Sequence, residues 1–197
     1  MTDHDLGALY GDGSRALQDT FDSRRLADRL QELTIHDELT DDDIGLIEAQ
    51  TSVLVSTVDE VGWPDVSYKG GDPGFVRVVD RRTLVMPSYD GNGMFRSLGN
   101  IAADPRLAML FVDTTRPWRL RLHGVGRVET AGPVVDGLHG AQAALVVEIR
   151  RLFPNCGRYI DQGTGPAPHV PREGEDTPEP EWKKMDLFRP YLPQQPT

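Results

Sequence analysis

The amino-acid sequence predicts a mainly β domain, a small antiparallel barrel with helices packed around its rim. Three observations predict it. Apolar and polar residues alternate in most segments between Ser52 and Thr130, the period of a half-buried strand. These segments are short and are parted by turn-forming residues such as DEVG at Asp59–Gly62. One helical stretch lies among them, and Asp104-Pro105 stops it, because the residue before a proline is pushed out of helical geometry.

Taken in order, Ser14–Leu33 reads as a helix, with Leu17, Phe21, Leu26, Leu30 and Leu33 near helical spacing. Thr40 followed by Asp43 has the form of a capping box, so a second helix is expected over Asp41–Ala49. Strands are then expected over Ser52–Val58, Pro64–Lys69, Phe75–Asp80 and Thr83–Pro87. A helix begins at Asn92 or Gly93 and ends at Asp104. Arg106–Asp113 and Trp118–Thr130 alternate again, and Gly124 and Gly126 predict a bulge or bend in the second. GAQAALVVEIRRLF has a composition that also permits a helix; Val-Val-x-Ile favours a strand over about Ala144–Leu152. Gln162–Glu181 is rich in proline, glycine and acid and reads as a loop or mobile arm. LFRPYL at Leu187–Leu192 could dock the tail on the body or on a partner subunit. The expected organisation is a helical segment over residues 1–40, a barrel over 41–160 and a C-terminal arm over 161–197.

Composition narrows the function. The chain carries 21 Lys+Arg against 31 Asp+Glu, a net charge of −10. Yet Val66–Arg127 holds ten basic and five acidic residues, so that window is +5 and the remainder −15. An acidic chain argues against a nucleic-acid groove, where phosphate neutralisation dominates affinity. A small phosphorylated or carboxylated ligand fits better. The single Cys156 excludes an internal disulfide, and one cysteine with five scattered histidines gives no zinc pattern. No apolar run reaches the length of a membrane span, and MTDHDLGALYGDG lacks the order of a signal peptide, so a cytoplasmic location is expected.

The expected anion site is SYDGNG (Ser88–Gly93), a loop opening into the helix that carries Arg96 and Ser97. Backbone N–H groups, a helix N-terminus and a cation converge there. Lys69 interrupts a half-apolar strand just before Gly70 and Gly71, which permit close approach of a ligand. Trp63 and Trp118 are read as core or interface residues and His123 as a structural histidine.

SVLVSTVDEVGWPDVSYKGG, a strand pair and then SYDGNGMFRSLGNIAADPRLAMLFVD make up a run similar to the pyridoxamine-phosphate-oxidase-like FMN-binding split barrels. NCGRYI (Asn155–Ile160) is similar to a signature in one branch of that superfamily. The resemblance implies a six-stranded antiparallel split barrel and a homodimer with FMN at the subunit interface. It implies Ser67 and Lys69 beside the flavin ring, and Ser88 and Tyr89 at the flavin edge and ribityl chain. It implies Arg96 as the phosphate-binding arginine, with Ser97 where the true oxidases carry a lysine and Asn92 compensating from the loop. Asn100 stands at a family glutamine position and Arg119 at a polar flavin contact. The tail WKKMDLFRPYLPQQPT lacks the Arg-x-His that grips the vitamin in true oxidases. The expected function is an FMN-binding oxidoreductase of unassigned substrate. A flavin carrier or sensor, or a deazaflavin or haem protein using His123, are the alternatives.

Overall fold

The structure is a computed structural model, and it describes residues 8–113, 116, 118–156 and 178–194. In chain order the elements are α1 (Asp12–Thr20), α2 (Arg24–Thr34), α3 (Asp41–Ala49), β1 (Ser52–Val58), β2 (Pro64–Gly70), β3 (Arg77–Asp80) and β4 (Thr83–Tyr89). They continue as α4 (Arg96–Ala103), β5 (Arg106–Val112), β6 (Arg119–Glu129), α5 (Pro133–Asp136), β7 (Ala141–Pro154), α6 (Glu181–Lys184) and a 3-10 turn (Arg189–Tyr191). They form two compact units, one from the two ends of the chain and one from His36 onward through β7.

In the unit built from the two ends, the helix expected over Ser14–Leu33 is two helices. Asp22 takes a left-handed φ of 47° between α1 and α2, which breaks the helical ladder. Leu17, Phe21 and Leu33 are exposed and Leu26 is buried. The C-terminal LFRPYL segment docks on this hairpin. Arg29 lies 5.5 Å over the Tyr191 ring, and the Gln194 N–H donates to Asp22 Oδ2 at 2.8 Å.

The second unit is one antiparallel sheet in the order β2-β1-β5-β6-β7-β4-β3. The sheet is open, with β2 and β3 at its edges. Its seven strands fall on the seven segments expected as strands, one more than the family resemblance implies. β7 is strand throughout and longer than expected, because both of its flanks are paired: Tyr89 opposes Ala141 and Leu120 opposes Pro154. The bend expected from the glycines of β6 is a register shift between His123 and Gly124. One face of the sheet closes over a core that includes Val55, Phe111, Leu122 and Ile149, all at most 1% exposed. A smaller cluster of Val85, Leu138, Ala144 and Val146 lies beside α5, a helix the sequence pattern does not predict.

The expected capping box is formed. Thr40 Oγ1 accepts the Asp43 N–H at 3.2 Å, and Asp43 Oδ2 accepts the Thr40 N–H at 2.9 Å. The same carboxylate oxygen lies 2.9 Å from His36 Nε2. α3 thereby buries Leu46 and Ile47 in the core. Thr40→Ala is expected to cost about 1 kcal/mol and to lower the melting midpoint by about 2–4 °C in a calorimetric scan.

Candidate functional site

Strand alternation builds the first wall of the site. Along β2, Pro64, Val66 and Tyr68 are exposed whereas Asp65, Ser67 and Lys69 are half-buried on the opposite face. The second wall is the end of β4, where the register shifts between Ser88 and Tyr89 and turns both residues toward the same space. The third wall is the loop into α4. Asn92 Oδ1 accepts the Met94 N–H at 3.0 Å, Gly93 takes a φ of 71°, and Phe95 a φ of 49°. A left-handed phenylalanine is a strained N-cap that offers no side-chain acceptor. The N–H groups of Arg96, Ser97 and Leu98, in the first turn of α4, have no intrahelical acceptor, and these three residues line the cavity.

These walls enclose a cavity of about 270 Å³. Seven residues expected from the sequence line it together: Ser67, Lys69, Ser88, Tyr89, Asn92, Arg96 and Ser97. Two others lie elsewhere. Asn100 is buried on α4 and its Nδ2 donates to Thr57 Oγ1 at 2.9 Å, so its amide ties the helix to β1. Arg119 stands at the start of β6 and donates to the Cys156 carbonyl. Its Nε has no hydrogen-bond partner among the described residues.

Three polar residues of this region are not predicted by the sequence pattern. Asp65 lines the cavity and its Oδ2 is 3.4 Å from Arg96 Nε. Asp59, in the turn before β2, places Oδ2 3.3 Å from Arg96 Nη2. Gln142 of β7 lines the cavity and donates to Asp90 Oδ1 at 3.0 Å. The position of Asp65 four residues before Lys69, on the same strand face, was the available signal; Gln142 carried none, because only the pairing of β4 with β7 brings it near.

Backbone hydrogen bonds from Trp63 and Val61, with Arg96 beside it, hold the Asp59 carboxyl below its ordinary pKa. A depressed carboxylate stabilises the fold above its unfolded pKa of about 3.8 and loses that contribution as pH falls through the lower folded value. It is therefore ionised at neutral pH. Lys69 has no ion-pair partner among the described residues, so its ammonium is available to the cavity. His123 lies on β6 with its ring edge-on to Phe153 at 5.1 Å, outside the cavity lining. Burial, then Arg151 and Arg121, push its pKa down, so the imidazole is neutral at pH 7. Among the described residues no group of three metal-ligating side chains exists, and no helix is long and apolar enough to cross a membrane. Of the NCGRYI hexamer, Asn155 and Cys156 are described; the rest of it, and most of the Gln162–Glu181 arm, lie outside the described residues.

No curated protein matches the sequence. Among solved structures, HupZ of group A Streptococcus is 23% identical with a TM-score of 0.50, over 59% of this chain and 93% of that one. A putative pyridoxamine 5'-phosphate oxidase from Lactobacillus delbrueckii is 19% identical with a TM-score of 0.50, over 61% of this chain and 99% of that one. At these identities the likeness establishes the fold. The family model for pyridoxamine 5'-phosphate oxidase matches residues 40–155, more than half of the chain and every strand of the sheet. With its split-barrel fold, the chain thus belongs to the pyridoxamine 5'-phosphate oxidase family.

Proposed function

We propose that this protein is an FMN-binding oxidoreductase that works as a homodimer with the cofactor at the subunit interface. One observation carries the proposal: residues from two strands and a helix N-terminus, 30 positions apart in sequence, converge on a single cavity holding Lys69 and Arg96. The donor set fits a phosphate monoester. Arg96 supplies charge-assisted donors, and the first-turn N–H groups of α4 supply backbone ones. Asn92 shapes the loop that presents them. Ser67, Ser88 and the Lys69 ammonium supply hydrogen bonds to the N and O atoms of a flavin ring.

The cavity lies just below the range of about 300–1,000 Å³ usual for a complete small-molecule site. A three-ring flavin would extend beyond it. Around it, Tyr89, Met94 and Phe95 are exposed, and Trp63, Val66 and Tyr68 are exposed on and beside the β2 edge. That apolar surface, on an unpaired strand edge, supports a second copy completing the site. FMN, when bound, supplies hydride or electron transfer, and the chain supplies position and electrostatics.

Purified protein is expected to be yellow, to show a flavin absorbance band and to release FMN on denaturation. A colourless protein that also refuses added FMN sinks the proposal. Dilution to monomer is expected to release the cofactor, and a monomer retaining all of it excludes the interface geometry.

A carrier or sensor is the second reading. The ionisable side chains lining the cavity are Asp65, Lys69, Tyr89 and Arg96, and Asp65 is engaged with Arg96. Among the described residues no histidine lines the cavity, so His123 is not placed to ligate a haem there, and the want of a paired general acid and base supports this reading. Photoreduced protein separates the two: rapid reoxidation by one acceptor marks an enzyme, and indifference to all of them a carrier. Competition of a deazaflavin against FMN tests the remaining alternative.

A further inference from the structure

An arginine presents two usable edges, Nε with one Nη2 hydrogen along its side and Nη1 with the other Nη2 hydrogen at its end. In Arg96 the side edge is taken. Asp65 Oδ2 lies 3.4 Å from Nε, and Asp59 Oδ2 lies 3.3 Å from Nη2. Asp59 is itself held in place, because its Oδ1 accepts the N–H groups of Val61 at 3.1 Å and Trp63 at 2.8 Å. The β1–β2 turn thus aims the second oxygen of that carboxylate at the guanidinium. Asp65 is fixed by β2, on the face it shares with Ser67 and Lys69.

We propose that Asp59 and Asp65 are positioning residues for phosphate recognition, holding the side edge of Arg96 so that its end fork meets the anion at the start of α4. The inference rests on the FMN function proposed above. A half-exposed arginine on a short helix otherwise samples many rotamers, and ordering it at the moment of binding costs affinity. Two fixed carboxylates remove most of that freedom beforehand. They also leave both Nη1 hydrogens and one Nη2 hydrogen for a ligand.

Plain electrostatics predicts the opposite sign. A carboxylate beside a dianionic phosphate repels it, so removing the carboxylate would tighten FMN if repulsion were its main effect. The sign of one substitution therefore separates the two. Asp65→Asn keeps the shape of the side chain and removes its charge. FMN and riboflavin, which lacks the phosphate, are titrated into wild type and variant and followed by flavin fluorescence. FMN binding is expected to weaken about tenfold, the scale of one net hydrogen bond, with riboflavin unchanged. In an Arg96→Ala background the same substitution is expected to add no further loss.

FMN bound as tightly as by wild type, or more tightly, overturns the positioning role. An equal loss for FMN and riboflavin overturns it too, because the effect then does not pass through the phosphate. Asp59→Asn is expected to show the same selectivity; if its turn fails to fold, Asp65→Asn alone decides. Wild-type protein that takes up no FMN overturns the proposed function and this inference with it. Normal uptake together with an unaffected Asp65→Asn overturns the inference alone.

Discussion

Arg96→Ala is expected to weaken FMN binding by about a hundredfold while leaving riboflavin within about twofold of wild type. A hydrogen bond to a charged partner contributes about 1.5–3 kcal/mol, and about 1.4 kcal/mol is a factor of ten in affinity. Arg96 has free donors for such bonds at the α4 N-terminus, and its loss also leaves Asp65 as an uncompensated carboxylate lining the cavity. Both effects act on the phosphate and neither acts on the ring. Arg96→Lys keeps the charge without the planar fork and is expected to fall between wild type and alanine. Equilibrium titration with the two flavins measures all three proteins. A uniform loss for both flavins would mean that Arg96 supports the fold of the loop rather than the anion.

Gly124→Val is expected to be the most damaging of these substitutions to stability, lowering it by about 3 kcal/mol or more and the melting midpoint by about 6–12 °C. A Cβ at Gly124 would sit 2.7 Å from Val147 Cγ1 and 2.8 Å from the Glu148 carbonyl oxygen. The first can rotate; the second is backbone in the paired β7 strand and cannot yield without breaking the ladder. The position also adjoins the register shift after His123, where β6 bends over the core. Gly45→Ala is the control. It lies within α3 with open space around its added Cβ, and is expected to raise stability by up to about 1 kcal/mol. Denaturant titration of both variants checks the pair. If Gly124→Val melts with wild type, β7 is not packed against β6 as described.

Local signals were legible because local physics sets them. Thr40 and Asp43 bond within one turn, so their spacing marked the start of α3 at the residue where it occurs. β1 runs over Ser52–Val58, the extent of its alternation. The N-terminal helix was misread at one point, since periodicity carries no sign of a left-handed φ at Asp22. Asn100 shows the limit for the site. The motif marks its position, but only the packing of α4 on β1 shows that one of its amide hydrogens is donated to Thr57.

Charge shows the division most clearly. The excess of cations between Val66 and Arg127 belongs to the sequence, as do the strands, the capping box and seven of the residues that line the cavity. Folding decides which of those cations stay unpaired. Arg81 meets Asp41, Arg82 meets Asp37 and Glu38, and Arg96 meets Asp59 and Asp65, all acids from outside that window. Short-range order follows from backbone sterics and alternation, which a linear chain already carries. Ion pairs between residues some 40 positions apart depend on strand order, and strand order exists only once the sheet has formed.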